Sequence, residues 1–163
     1  VDMVLKAVGR PDGESVAIGE IIVTPFDPQH VTSFCWEGSL CLRGYDLAQN
    51  PDQLDLAFYW QAAAPREESY KRFVHLTDAQ DGRVVAQSDA IPRNWTYPTD
   101  IWEPDEIVVD RVLLSLDGVE PGSYELRVGW YAVDGGQTLP ACPTGNCATQ
   151  ATESHRLATF DLP

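Results

Sequence analysis

A chain of 163 residues, 44% apolar and 22% charged, has the size and composition of one globular domain with its own core. Its 25 acidic against 11 basic residues leave a formal charge of −14, which argues against nucleic-acid and membrane-surface binding and leaves cations and neutral polar molecules as ligands. No run approaches the roughly 20 apolar residues of a membrane span. The opening VDMVLKAV has neither an initiator Met nor a charged-then-apolar leader, so the chain reads as the mature or excised part of a longer protein.

In chain order, a weak strand is expected near residues 2–8 and a firmer one near 17–24, around GEIIV. Cys35 and Cys41 then bracket CWEGSLC, whose Gly and polar residues let a short loop curl back, and Cys142 and Cys147 do the same in CPTGNC. Four cysteines allow three pairings; short loop closure favours the local one, Cys35–Cys41 with Cys142–Cys147. The rival is a zinc site, but neither spacing is C-x2-C, and His30 and His155 are poorly placed to complete one. Paired cysteines point to an oxidising, extracytoplasmic compartment.

Strands are expected near 39–47 and in LDLAFYWQ, where Leu54, Leu56, Phe58 and Trp60 share one face and Asp55, Ala57, Tyr59 and Gln61 the other. QAAAPREES, residues 61–69, is a loop. The strands near 70–77 and 83–89 join through DAQDGR, whose Asp81-Gly82 is a hairpin signal. VVDRVLLSL sets Val108, Val112, Leu114 and Leu116 on one face with Asp110 as a polar intruder. A carboxylate buried there wants a partner, which Arg111, Arg93 or Lys71 could supply. SYELRVGWY opposes Tyr124, Leu126, Val128 and Trp130 to Glu125, Arg127, Gly129 and Tyr131. DGVEPGSY and VDGGQ are turns, and a last strand is expected near 155–162. Regular strands with turn chemistry and almost no helical periodicity predict an all-β antiparallel β-sandwich, immunoglobulin-like or jelly-roll, formed as a single domain over residues 1–163.

Catalytic signatures are lacking in the sequence: it has no G-x-S-x-G elbow, and His30, His75 and His155 have no metal-ligand spacing. His75, inside RFVHLTD, reads as a hydrogen-bonded strand residue. Loop carboxylates suit hard cations. Asp78, Asp81 and Asp89, with Asp100, are therefore calcium candidates, although the same residues serve hairpin turns and no EF-hand pattern is present. No other cofactor is expected. The stretch NWTYPTDIWEPDEIVVD, residues 94–110, is the densest in aromatic and acidic residues. Trp95, Tyr97 and Trp102 could stack a sugar with Asp100 bonding its hydroxyls. Pro92, Pro98 and Pro104 instead favour an extended path in which these rings close one end of the sandwich. NWT also matches the N-glycosylation sequon.

Taken in order, GEIIV, LDLAFYWQA, YKRFVHLTDAQDGRVVAQSDAIP, YPTDIWEPDEIVVDRVLLSL and PGSYELRVGWYAVDGGQTLP resemble a recurrent bacterial domain. It is the extracytoplasmic β-sandwich at the C-terminus of multi-spanning membrane glycosyltransferases of the dolichyl-phosphate-mannose transferase type and of related envelope proteins. The resemblance covers about residues 17–140 and lies on Trp60, His75, Leu76, Asp78, Gly82, Gln87, Asp89, Pro92, Thr99, Trp102, Asp110, Pro121, Gly122, Tyr124, Gly129, Tyr131, Gly136, Leu139 and Pro140. EPDE departs from the pattern's Gly before the acid, and CWEGSLC and CPTGNC are additions to it. The resemblance implies an accessory or binding module and no catalytic residues. The function expected first is a non-catalytic accessory module that binds a glycan or positions a glycan-handling protein partner. The alternative is a purely structural or protein-interaction domain.

Overall fold

The structure, a computed structural model, describes residues 26–143 and 151–163. The strands expected near 2–8 and 17–24 lie outside the described residues, as does Cys147. The described residues form an antiparallel β-sandwich. Its strands are β1 (His30–Trp36), β2 (Leu40–Gln49), β3 (Gln53–Ala62), β4 (Tyr70–Asp78), β5 (Val84–Ala90), β6 (Ile107–Ser115), β7 (Gly122–Ala132), β8 (Ala141–Pro143) and β9 (His155–Leu162). One sheet runs β6-β3-β2-β1-β8 and the other β5-β4-β7-β9.

Alternation sets the two inner faces. Leu54, Leu56, Phe58 and Trp60 of β3 are all but inaccessible, and so are Tyr124, Leu126, Val128 and Trp130 of β7. Between the sheets, Trp60 meets Trp36 at 5.7 Å and Trp130 at 4.8 Å between ring centroids, both edge-to-face. Trp102 reaches this cluster from the loop before β6, 6.1 Å from Trp130.

Two strands were not expected, β1 and β8. HVTSFCW shows no clean alternation, since Val31 is exposed and only its last two residues are buried. It pairs because Cys35 stands opposite Cys41 in the β1–β2 register. The two form a disulfide with a Cα–Cα distance of 4.0 Å. Cys142 of β8 lies opposite Cys35 on the other side and is itself disulfide-bonded.

Candidate functional site

Asp110 interrupts the apolar face of β6 and is fully buried. Its partner is Arg72 on β4, which shares the inward parity of Tyr70, Val74 and Leu76. Arg72 Nε donates to Asp110 Oδ2 at 2.9 Å, and Arg72 Nη1 donates to the Ser88 carbonyl at 2.7 Å. The other carboxylate oxygen, Oδ1, accepts the backbone N–H of Arg93 at 2.7 Å. Neither Arg111 nor Lys71 supplies the counter-charge. Arg93 contributes its backbone, while its guanidinium lies 4.4 Å from the centre of the Tyr97 ring.

That bond to Asp110 anchors an unusual turn. Arg93, Asn94 and Trp95 have φ of 53°, 53° and 71°, left-handed values that cost roughly 1–2 kcal/mol for each side-chain-bearing residue. The turn is closed by Trp95 N–H to the Ile91 carbonyl at 2.9 Å and Tyr97 N–H to the Pro92 carbonyl at 3.1 Å. The Thr96 hydroxyl donates to the Arg93 carbonyl at 2.7 Å. Its product is an indole turned outward: Trp95 is 55% exposed, whereas Trp36, Trp60, Trp102 and Trp130 are at most 3% exposed.

Trp95 stands beside the outer face of the β5-β4-β7-β9 sheet. There the register sets Lys71 against Tyr131, Phe73 against both Gly129 and Asp89, and His75 against Arg127. The Lys71 ammonium lies 5.1 Å from the Trp95 ring centre and 5.8 Å from that of Tyr131, linking the two. The Tyr131 hydroxyl donates to Asp89 Oδ2 at 3.5 Å, and His75 Nε2 is 3.6 Å from Asp89 Oδ1. Burial holds the His75 imidazole below its ordinary pKa, with Asp89 opposing. Burial pushes the Tyr131 phenol up, and Asp89 adds to it.

Two hollows meet at Asp89. One, of about 460 Å³, runs between β5 and β6 under Trp95, with Ser88, Asn94 and Leu113 on its walls. The other, of about 210 Å³, lies between His75, Tyr131, Thr138 and Glu153. Flat ring faces beside a carboxylate, an imidazole and a hydroxyl can stack an apolar face while bonding the hydroxyls at its rim.

Of the four aromatic-stretch candidates, only Trp95 meets this cleft. Tyr97 is half-buried, its hydroxyl 3.1 and 3.0 Å from the two Glu106 carboxylate oxygens. Its ring stacks on Trp102 at 6.3 Å. Trp102 is buried, donates from Nε1 to the Tyr97 carbonyl at 3.1 Å, and offers no open face. Asp100 is exposed in the turn Thr99–Ile101. The calcium candidates are not gathered. Asp78 accepts the Gln80 N–H at 2.7 Å and Asp81 the Arg83 N–H at 2.8 Å, both as turn caps. Asp89 pairs with Phe73, five residues back along β4 from Asp78, or about 17 Å at strand spacing. Among the described residues, no group of three or more His, Cys, Asp or Glu is arranged to hold a metal. Sequence reading missed Lys71, Phe73 and Tyr131 as site residues; their signal was outward parity on β4 and β7. Comparisons with protein-family models, curated proteins and solved structures give no match for this chain.

Proposed function

We propose that this chain is a non-catalytic, extracytoplasmic accessory module that binds a glycan on the outer face of the β5-β4-β7-β9 sheet, where Trp95 and Tyr131 stack sugar rings and Asp89 accepts hydroxyl hydrogen bonds. The observation that carries the reading is the isolation of Trp95. It is 55% exposed in a chain that buries its four other tryptophans, and a left-handed turn bonded to a buried carboxylate holds it out. Backbone strain of this kind persists where surrounding structure enforces it, and it concentrates at functional sites. The disulfide between Cys35 and Cys41 favours an oxidising compartment, and the motif resemblance to transferase-linked sandwiches points the same way.

Leu113 supports a second reading. It is 68% exposed on a wall of the Trp95 hollow, and an indole beside an open aliphatic side chain also suits a protein partner. A glycan array probed with the wild-type chain and with Trp95→Ala separates the two. The variant deletes an exposed ring, so its melting temperature should stay near wild type. Sugar binding that falls at least tenfold supports the glycan reading, at the roughly 1–3 kcal/mol expected of one stacking ring. An array without signal for the wild type would leave the protein-partner reading in its place.

A further inference from the structure

A third hollow, of about 600 Å³, is lined by Phe34, Arg127, Thr152, Ser154, His155 and Arg156. It adjoins the cleft, because Ser154 lines both. Arg127 is four residues along β7 from Tyr131, about 13 Å at strand spacing. Its Nε donates to Ser154 Oγ at 3.1 Å and its Nη1 to Glu125 Oε2 at 2.6 Å. Arg156 Nη1 donates to the other oxygen of the same carboxylate, Glu125 Oε1, at 2.8 Å. Two guanidiniums thus share one carboxylate. The His155 ring stacks on Phe34 at 3.8 Å, adding a flat surface beside them.

Resting on the sugar-binding reading, we propose that the glycan is acidic: a uronate-type carboxylate sits against Arg127 and Arg156 while a neighbouring ring of the same chain stacks on Trp95. A guanidinium is planar and presents several N–H donors, and a carboxylate is the oxyanion that fits its fork. Ser154 and Thr152 bring hydroxyls for the sugar to which the carboxylate belongs. The run from Tyr131 to Arg127 suits an oligosaccharide rather than a single ring. The formal charge of −14 does not oppose this, because it acts at long range and is screened beyond about 8 Å at physiological salt. A nucleic acid, with a charge every ~1.7 Å of duplex, meets that repulsion along its whole length. A polymer with one carboxylate every sugar or two meets it far less.

The test uses the full chain on an array of oligosaccharides bearing glucuronate, galacturonate or sialate, each printed beside its carboxyl-methylated counterpart. Wild type should bind acidic members about tenfold more strongly than the esters, the size of one charge-assisted contact. Arg156→Gln, at a side chain 57% exposed, should remove that preference, lowering acid binding to about the level of the ester. Arg156→Lys should restore part of it. Trp95→Ala should weaken binding to acid and ester alike. Equal wild-type binding to both, or an acid preference that survives Arg156→Gln, overturns the acidic-ligand proposal while sparing the sugar reading. Silence across the array overturns both.

Discussion

Asp110 and Arg72 hold opposite charges between the sheets at side-chain exposures of 0% and 3%. Such a pair adds little over a well-packed apolar pair, but removing one member strands the other in a poor solvent. Asp110→Asn leaves the Arg72 guanidinium buried without its counter-ion and weakens the acceptor of the Arg93 N–H. It should cost about 3–5 kcal/mol of unfolding free energy by urea titration. A loss under 1 kcal/mol would mean that water reaches the pair and screens it. Asp110 was legible in the sequence, since a carboxylate on an apolar strand face announces a partner. Arg72 carries the same signal: it interrupts the inward set Tyr70, Val74 and Leu76 on β4 as Asp110 interrupts that of β6. Two polar intruders on facing strands were each other's explanation.

The cleft floor depends on how β4 packs across β7. Phe73 points outward yet is only 6% exposed, because its ring lies over Gly129 and against Tyr131 and His75. A Cβ at Gly129 would fall 2.2 Å from Phe73 Cζ and 2.9 Å from the Glu153 carbonyl oxygen. The ring would have to leave its place or the 153–154 segment would have to lift. Gly129→Ala should therefore destabilise by about 1–3 kcal/mol, as overpacking does. Adding Phe73→Leu should return most of that in thermal unfolding; no recovery in the double variant would place the clash against the Glu153 backbone instead. Strands such as β3, β6 and β7 were legible because each has one buried and one wetter face, so period-two alternation survives in the sequence. β1 was not, because it is held by a cross-strand disulfide and the β2 ladder more than by a buried face. The division between exposed Trp95 and buried Trp102 was also illegible. Both lie in a loop without periodicity, and a left-handed turn of Arg93, Asn94 and Trp95 has no sequence signature like that of glycine.

At the scale of the whole molecule, two effects oppose each other as pH falls. The formal charge is −14 at pH 7 and the isoelectric point is about 4.3, so acidification first relieves self-repulsion across the surface and favours the compact state. The histidines act the other way. Burial holds His155 below its ordinary value, and Arg127 and Arg156 beside it push further in the same direction. His75 is lowered by burial, with Asp89 partly offsetting. A base whose folded pKa lies below the unfolded value of about 6.5 binds more protons when unfolded, so stability rises with pH across that interval. Its contribution is complete above pH ~6.5, is lost as pH falls through that value, and levels off below the folded pKa. Glu125 adds a later loss. The Arg156 and Arg127 bonds hold its carboxyl below the ordinary range, so its share starts to fall as pH drops through that ordinary range and is gone below the lowered value. Surface repulsion is diffuse and screened by salt, whereas the His155 effect is local, and one substitution separates them. In urea titrations from pH 7.5 to 5, His155→Phe keeps the stack on Phe34 but removes the titrating group. The variant should gain stability relative to wild type as pH falls through about 6.5, and the gain should persist in added salt. A difference between the two proteins that does not change with pH would show that protonating His155 costs nothing on folding, and that the guanidiniums beside it are as well screened as if they stood in open water.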